Sequence, residues 1–137
     1  MAFTPTQYDE GKVVSLPFAD AQTITKFAAV VVDTSSGYYN VAASGADDVR
    51  YIALETVTTT ADAEEVLCLP VLGVRFIADC SDAPVRADDV GTFVDLATLS
   101  TLALGTSTDD VFYVEDIFGP TTDKKVAGYF MSQVASA

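Results

Sequence analysis

The chain has no histidine and no tryptophan, only two cysteines, and only seven lysines and arginines against twenty aspartates and glutamates. Without histidine, the commonest general base and the commonest metal-binding side chain are both missing. A Ser-His or Cys-His nucleophile pair is excluded. Cys68 and Cys80 without histidine cannot supply the four nitrogen or sulfur ligands of a structural zinc site. The formal charge of −13 opposes the basic face that a nucleic-acid binder presents. No apolar run approaches the ~18 residues of a membrane span. The first residues, Met1-Ala2-Phe3-Thr4-Pro5, lack the basic patch and apolar stretch of a secretion signal, so the expectation is a protein made in the cytoplasm without export. Halophilic adaptation is a second reading of the acidity. Cys68 lies in the apolar run Val66-Leu67-Cys68-Leu69 and reads as a small hydrophobe; a Cys68–Cys80 disulfide stays open.

What is present is a β pattern. Half of the 137 residues are hydrophobic and a fifth are charged, which suits one folded domain rather than a disordered chain. Three times the sequence writes Asp-Asp-Val before an aromatic or β-branched stretch: at Asp47-Asp48-Val49, Asp88-Asp89-Val90 and Asp109-Asp110-Val111. Each pairs turn-forming carboxylates with residues suited to a pleated strand, and so marks a strand start. Strands are expected over 24–33 and 38–41 as a hairpin, then 50–57, 65–69, 71–78, 91–96, 111–118 and 125–134. Residues 97–105 read as a loop strand or one helical turn, and 60–66 as a helix of barely two turns capped by threonine. The fold class is therefore all-β, a small barrel or sandwich of about eight short strands.

Residues 1–22 differ. Phe3, Pro5, Tyr8, Gly11, Pro17 and Phe18 lie among polar residues without a clear period. This reads as an extended N-terminal arm preceding a single domain at 23–137. Such an arm either folds back over its own barrel or lies on a neighbouring subunit.

Residues 44–52 echo residues 106–114, a shift of 62 residues. Duplicated half-barrels and convergence on one turn chemistry both explain it. The likeness ends at the turn, so convergence is the expectation.

No phosphate-binding loop or dinucleotide fingerprint is present. Carboxylate-only catalysis stays formally open, but no motif supports it. The chain reads as a non-enzyme with no cofactor and no metal. Adjacent aspartates in a strand point to opposite faces and chelate calcium poorly, so these pairs read as solvated turn carboxylates. Lys124-Lys125 is the basic pair, read as surface or as a salt bridge to another subunit. Tyr38 and Tyr39 at a hairpin turn are candidate surface contacts, with one of the two pointing inward.

Taken in order, several segments resemble the small capsid decoration (cement) proteins of tailed phages. The aromatic N-terminal segment comes first and the strand pair at 27–41 second. Next is segment 65–78, centred on Leu72-Gly73-Val74-Arg75-Phe76. Ala87-Asp88-Asp89-Val90-Gly91-Thr92-Phe93-Val94 follows, and Val126-Ala127-Gly128-Tyr129-Phe130 closes the set. Ala87-Asp88 stands where that family more usually has glycine. The resemblance implies a virion protein on the capsid exterior, commonly a trimer, that clamps neighbouring major capsid proteins and contacts neither nucleic acid nor membrane. Phe3, Pro5, Tyr8 and Phe18 would then make the capsid or neighbour contact. A trimer would gather −39 formal charges, three times −13, so its subunit contacts should be mainly apolar. The alternatives are another β-rich virion component (tail-tube, connector or head-fibre base) and a stand-alone carbohydrate-binding β module.

Overall fold

A computed structural model of the chain describes residues 2–44, 46 and 48–131. Its strands are β1 (Phe3–Pro5), β2 (Val14–Phe18), β3 (Thr23–Ile24), β4 (Ala29–Val32), β5 (Tyr39–Val41), β6 (Tyr51–Ala53), β7 (Val57–Thr58), β8 (Glu64–Pro70), β9 (Phe76–Asp79), β10 (Phe93–Thr98), β11 (Thr101–Ala103), β12 (Phe112–Ile117) and β13 (Lys125–Phe130). A single helical turn, α1 (Arg86–Asp89), separates β9 from β10. The all-β class holds, with more and shorter strands than the pattern suggested.

Ten of the strands form two rings of the same design, the first a closed barrel and the second a curled sheet that meets itself at one bridge. In the first, β2 pairs with β8, β8 with β6, β6 with β4 and β4 with β5, all antiparallel. The ring is shut by a single parallel register between Phe18 of β2 and Tyr39 of β5. In the second, β9 pairs with β13, β13 with β12, β12 with β10 and β10 with β11, again all antiparallel. This sheet curls until Cys80, just past β9, meets Leu102 of β11 in a parallel bridge. Registers correspond as well as order. Cys68 stands between Val14 and Ala53 in the first ring, as Gly128 stands between Phe76 and Val114 in the second. The pair Phe18–Tyr39 matches the pair Cys80–Leu102.

The repeat therefore extends through a whole barrel, which corrects the expectation that the likeness ends at a turn. It is hidden because the sequence echo is one residue out of step with the ladders. The echo sets Tyr51 against Tyr113, whereas the ladders set Tyr51, between Val30 and Pro70, against Phe112, between Val94 and Phe130. A one-residue slip exchanges the two faces of a strand.

Each barrel has its own filling. Phe18, Val30, Ala53, Val66 and Cys68 form the first core, with Tyr39 and Tyr51 against them. The second is built around Phe130, whose ring meets Phe3 at 5.0 Å, Phe112 at 5.1 Å and Phe76 at 5.3 Å, all edge-on. Edge-to-face pairs of this kind add about 0.5–1.5 kcal/mol each beyond their buried area. Ala29 and Ile52, on the outside of the first barrel, belong to this second cluster, so the second core also packs the two barrels together.

Residues 2–22 lie on their own chain, the fold-back alternative, and do so as strands of its sheets. β1 extends the second sheet by pairing with β9, Phe3 opposite Ala78 and Pro5 opposite Phe76. β2 is a wall of the first barrel, with Phe18 buried in its core and Leu16 packed against it, while Val14 at the strand's start is exposed. Pro17 is tolerated there because β2 meets β5 at one position only, so most of that edge carries no ladder.

Three smaller expectations also change. Residues 60–66 are not helical: Ala63 takes φ 65°, and Glu64 already begins β8. Asp88 and Asp89 lie in α1 rather than at the start of a strand. The last strand ends at Phe130, and residues 132–134 of its expected range lie outside the described residues, as does Asp47.

Candidate interaction surface

The second sheet has an inner and an outer side, set by alternation along its strands. Inward go Phe76, Ala78, Val94, Phe112, Val114, Val126 and Phe130, all buried. Outward go Phe93, Tyr113 and Tyr129, which stand directly opposite one another on β10, β12 and β13. They form a cross-strand aromatic row. Phe93 is 40% exposed, and both tyrosines are half-buried. The Phe93 and Tyr113 rings lie 5.3 Å apart and tilt by 52°, so they interlock rather than present one flat stacking plane.

Three ion pairs lie on or beside the strands of this sheet. Arg75 Nε lies 2.7 Å from Glu115 Oε1, Arg86 Nη2 lies 2.8 Å from Asp116 Oδ1, and Lys125 pairs with Asp79. The Arg86 hydrogen bond holds the Asp116 carboxyl below its usual range. Three of the chain's seven bases are thus brought to one side of a molecule of net charge −13. Lys125 finds an acid, Asp79, within its own chain.

The residues expected to touch a partner are distributed otherwise. Phe3 and Phe18 have no exposed surface; they are core, because each sits on the inward side of a strand that the sequence pattern did not reveal. Pro5 is half-buried in β1. Tyr8 is exposed and lines an open groove with Lys12, Leu72 and Arg75. Tyr39 turns inward, its ring 5.7 Å from Tyr51 and 6.3 Å from Phe18, and burial raises its phenol pKa. Tyr38 stays in the turn before β5, half-buried. The aromatic row was missed because its three members come from segments far apart in sequence; each shows only as one aromatic in an alternating run.

The Asp-Asp-Val steps also divide. Asp48 binds Arg50 at 2.8 Å. Asp89 is buried, and its carboxylate accepts the Val85 N–H at 2.7 Å, tying down the start of α1. Asp109 and Asp110 donate their backbone N–H groups to the carboxylate of Asp95, and Thr108 does the same, at 2.8, 2.9 and 3.0 Å respectively. Thr59, also buried, donates to the Ala19 carbonyl and accepts from Gln22 N–H. Cys68 and Cys80 are free thiols, one in each barrel, and burial pushes both up to about 12.

No family model, curated protein or solved structure matches the chain.

Proposed function

We propose that this is a structural protein that binds and stabilises a larger particle, as a capsid decoration (cement) protein does on a phage head. The observation that carries the reading is the use of its buried polar groups. Asp89, Asp95 and Thr59 all serve as ties between backbone segments. Chemistry-bearing side chains held in this way stiffen loops, which suits a clamp under load. The acidic exterior keeps separate copies soluble. With Phe3 and Phe18 in the cores, capsid contact falls to exposed apolar residues such as Tyr8 and Leu72 beside their shared groove.

The test is co-sedimentation of the purified full chain with expanded, DNA-free phage heads lacking decoration. The expected result is saturable binding that raises the heads' resistance to heat, weakened by the double substitution Tyr8→Ser, Leu72→Ser. Absence of binding, or binding without stabilisation, would overturn the proposal. A second reading, a ring- or tube-forming virion component, draws on the repeated barrel topology. It predicts open-ended polymers of the isolated protein, whereas a decoration protein stops at a small closed oligomer.

A further inference from the structure

The ladders that make the two barrels equivalent also make particular surfaces equivalent. On the outside of the first barrel, Ala29, Ile52 and Leu69 stand opposite one another on β4, β6 and β8. Their counterparts in the second barrel, on β10, β12 and β13, are Phe93, Tyr113 and Tyr129. The first row is buried, at 0%, 0% and 1% exposure. Ala29 and Ile52 pack into the core of the second barrel. At its edge the Ala29 N–H donates to the carbonyl of Leu99, in the turn between β10 and β11. The second row has larger, aromatic side chains, and among the described residues Phe93 is left 40% exposed.

We propose that the row Phe93, Tyr113 and Tyr129 is covered by a second copy of this chain, joined head to tail. The packing that joins the two barrels within one chain is then repeated between chains. The piece that comes to this row follows from the same equivalence. Leu99 lies in the β10–β11 turn, and the matching turn of the first barrel is 33–38, between β4 and β5. The 33–38 turn of one copy therefore sits at the edge of the aromatic row of the next.

Charge supports the choice of occupant. Two chains of −13 each repel over most of their surfaces. On the strands of this sheet the acids Glu115, Asp116 and Asp79 are each paired with a base, which lowers the electrostatic penalty for a like-charged copy that approaches it. Aromatic residues on a sheet with such pairs also have the composition of an interface centre. A contact between two different faces is heterologous, so it closes into a ring or runs on as a filament instead of stopping at a two-fold dimer. The inference does not depend on capsid binding, and it is tested without capsids.

The experiment measures the mass of the full chain in solution, alone and in mixtures, by light scattering and native mass spectrometry. The unaltered chain is expected to assemble beyond a dimer. Tyr113→Asp removes the row, and Thr34→Trp blocks the exposed turn; each alone should give monomers. Mixed together, the two variants still own one intact face of each kind, so they should form a 1:1 heterodimer and nothing larger. Circular dichroism checks that each variant folds. If Tyr113→Asp does not fold, Phe93→Asp replaces it, since Phe93 is well exposed. A monomeric unaltered chain would overturn the proposal. So would a two-fold dimer, or variants that fail to complement each other, because either result would mean that the row and the turn do not meet.

Discussion

Asp95 and Asp110 meet across the loop that precedes β12: the carboxylate of the first accepts the backbone N–H of the second at 2.9 Å. The same carboxylate holds the N–H groups of Thr108 and Asp109, so one buried side chain fixes three successive peptide units. It also explains how Asp110 is kept at φ 52°. Removing it with Asp95→Ala leaves those donors without their acceptor. A loss of about 3 kcal/mol is expected, since hydrogen bonds to charged groups contribute about 1.5–3 kcal/mol each and do not add fully. Asp95→Asn should lose less, because one amide oxygen still accepts. Urea unfolding midpoints of the two variants check the order.

Gly128 marks the tightest approach in the second barrel. A Cβ built there would fall on the Tyr113 carbonyl oxygen and press on the Phe112 ring at 2.8 Å. The obstacle is mainly backbone, which cannot rotate away. Gly128→Ala is therefore expected to destabilise by about 4 kcal/mol or more, beyond ordinary overpacking. Gly73→Ala, at an open turn position with φ 75°, should lose only the modest amount due to backbone strain. Soluble yield and thermal melts of the two variants give the comparison.

Phe3 tests whether the N-terminal segment is structural. Its ring is buried against Phe130 and Phe112. Phe3→Ala should cost about 3–5 kcal/mol, as large-to-small aromatic substitutions in cores do. Tyr8→Ala, at an exposed position, should change stability by less than about 0.5 kcal/mol. Equal effects at the two positions, measured by chemical denaturation, would contradict the β1 packing. Deleting residues 2–18 would remove β1 and β2 and unfold the chain, so such a deletion cannot isolate a binding role.

The thiols give a pH dependence with a definite sign. Cys68 and Cys80 rise from 9.0 to about 12, chiefly through burial, so the folded state keeps protons that the unfolded state gives up in that interval. Their contribution to stability is complete below pH 9 and declines as pH rises toward about 12. Denaturation midpoints should fall across that window, and Cys68→Ala should lessen the fall. Native protein at pH 8 should react slowly with a thiol reagent and release both thiols on unfolding.

The β class was legible because alternation and turn residues are local signals, and they located β4, β5, β6, β8, β12 and β13 to within a few residues. β2 carried the same signal in Val14, Leu16 and Phe18, but Pro17 masked it; a proline reads as a breaker until one knows that its strand edge is open. Residues 60–66 contain helix formers, yet pairing with β2 draws Glu64 and Glu65 into β8. The repeat could not be read because the two barrels share pairing geometry rather than residues: Cys68 answers to Gly128, and Ile52 to Tyr113. The aromatic row was unreadable for a related reason, since a cross-strand neighbour is set by register and not by sequence distance.

The pairing of Phe3 with Ala78 also has a temporal consequence. The first barrel is built from segments that lie wholly between these two residues, so it can close while β1 is still unattached. β1 then waits for β9 to appear, and each barrel's own ladders bring shorter loops together first. The core of the second barrel is therefore filled only when Phe3 of the earliest strand returns to it, which makes β1 the latch on that core. A chain stalled before that step would have one barrel formed and the face of Ala29 and Ile52 still uncovered. That is the species most prone to associate wrongly with its own kind.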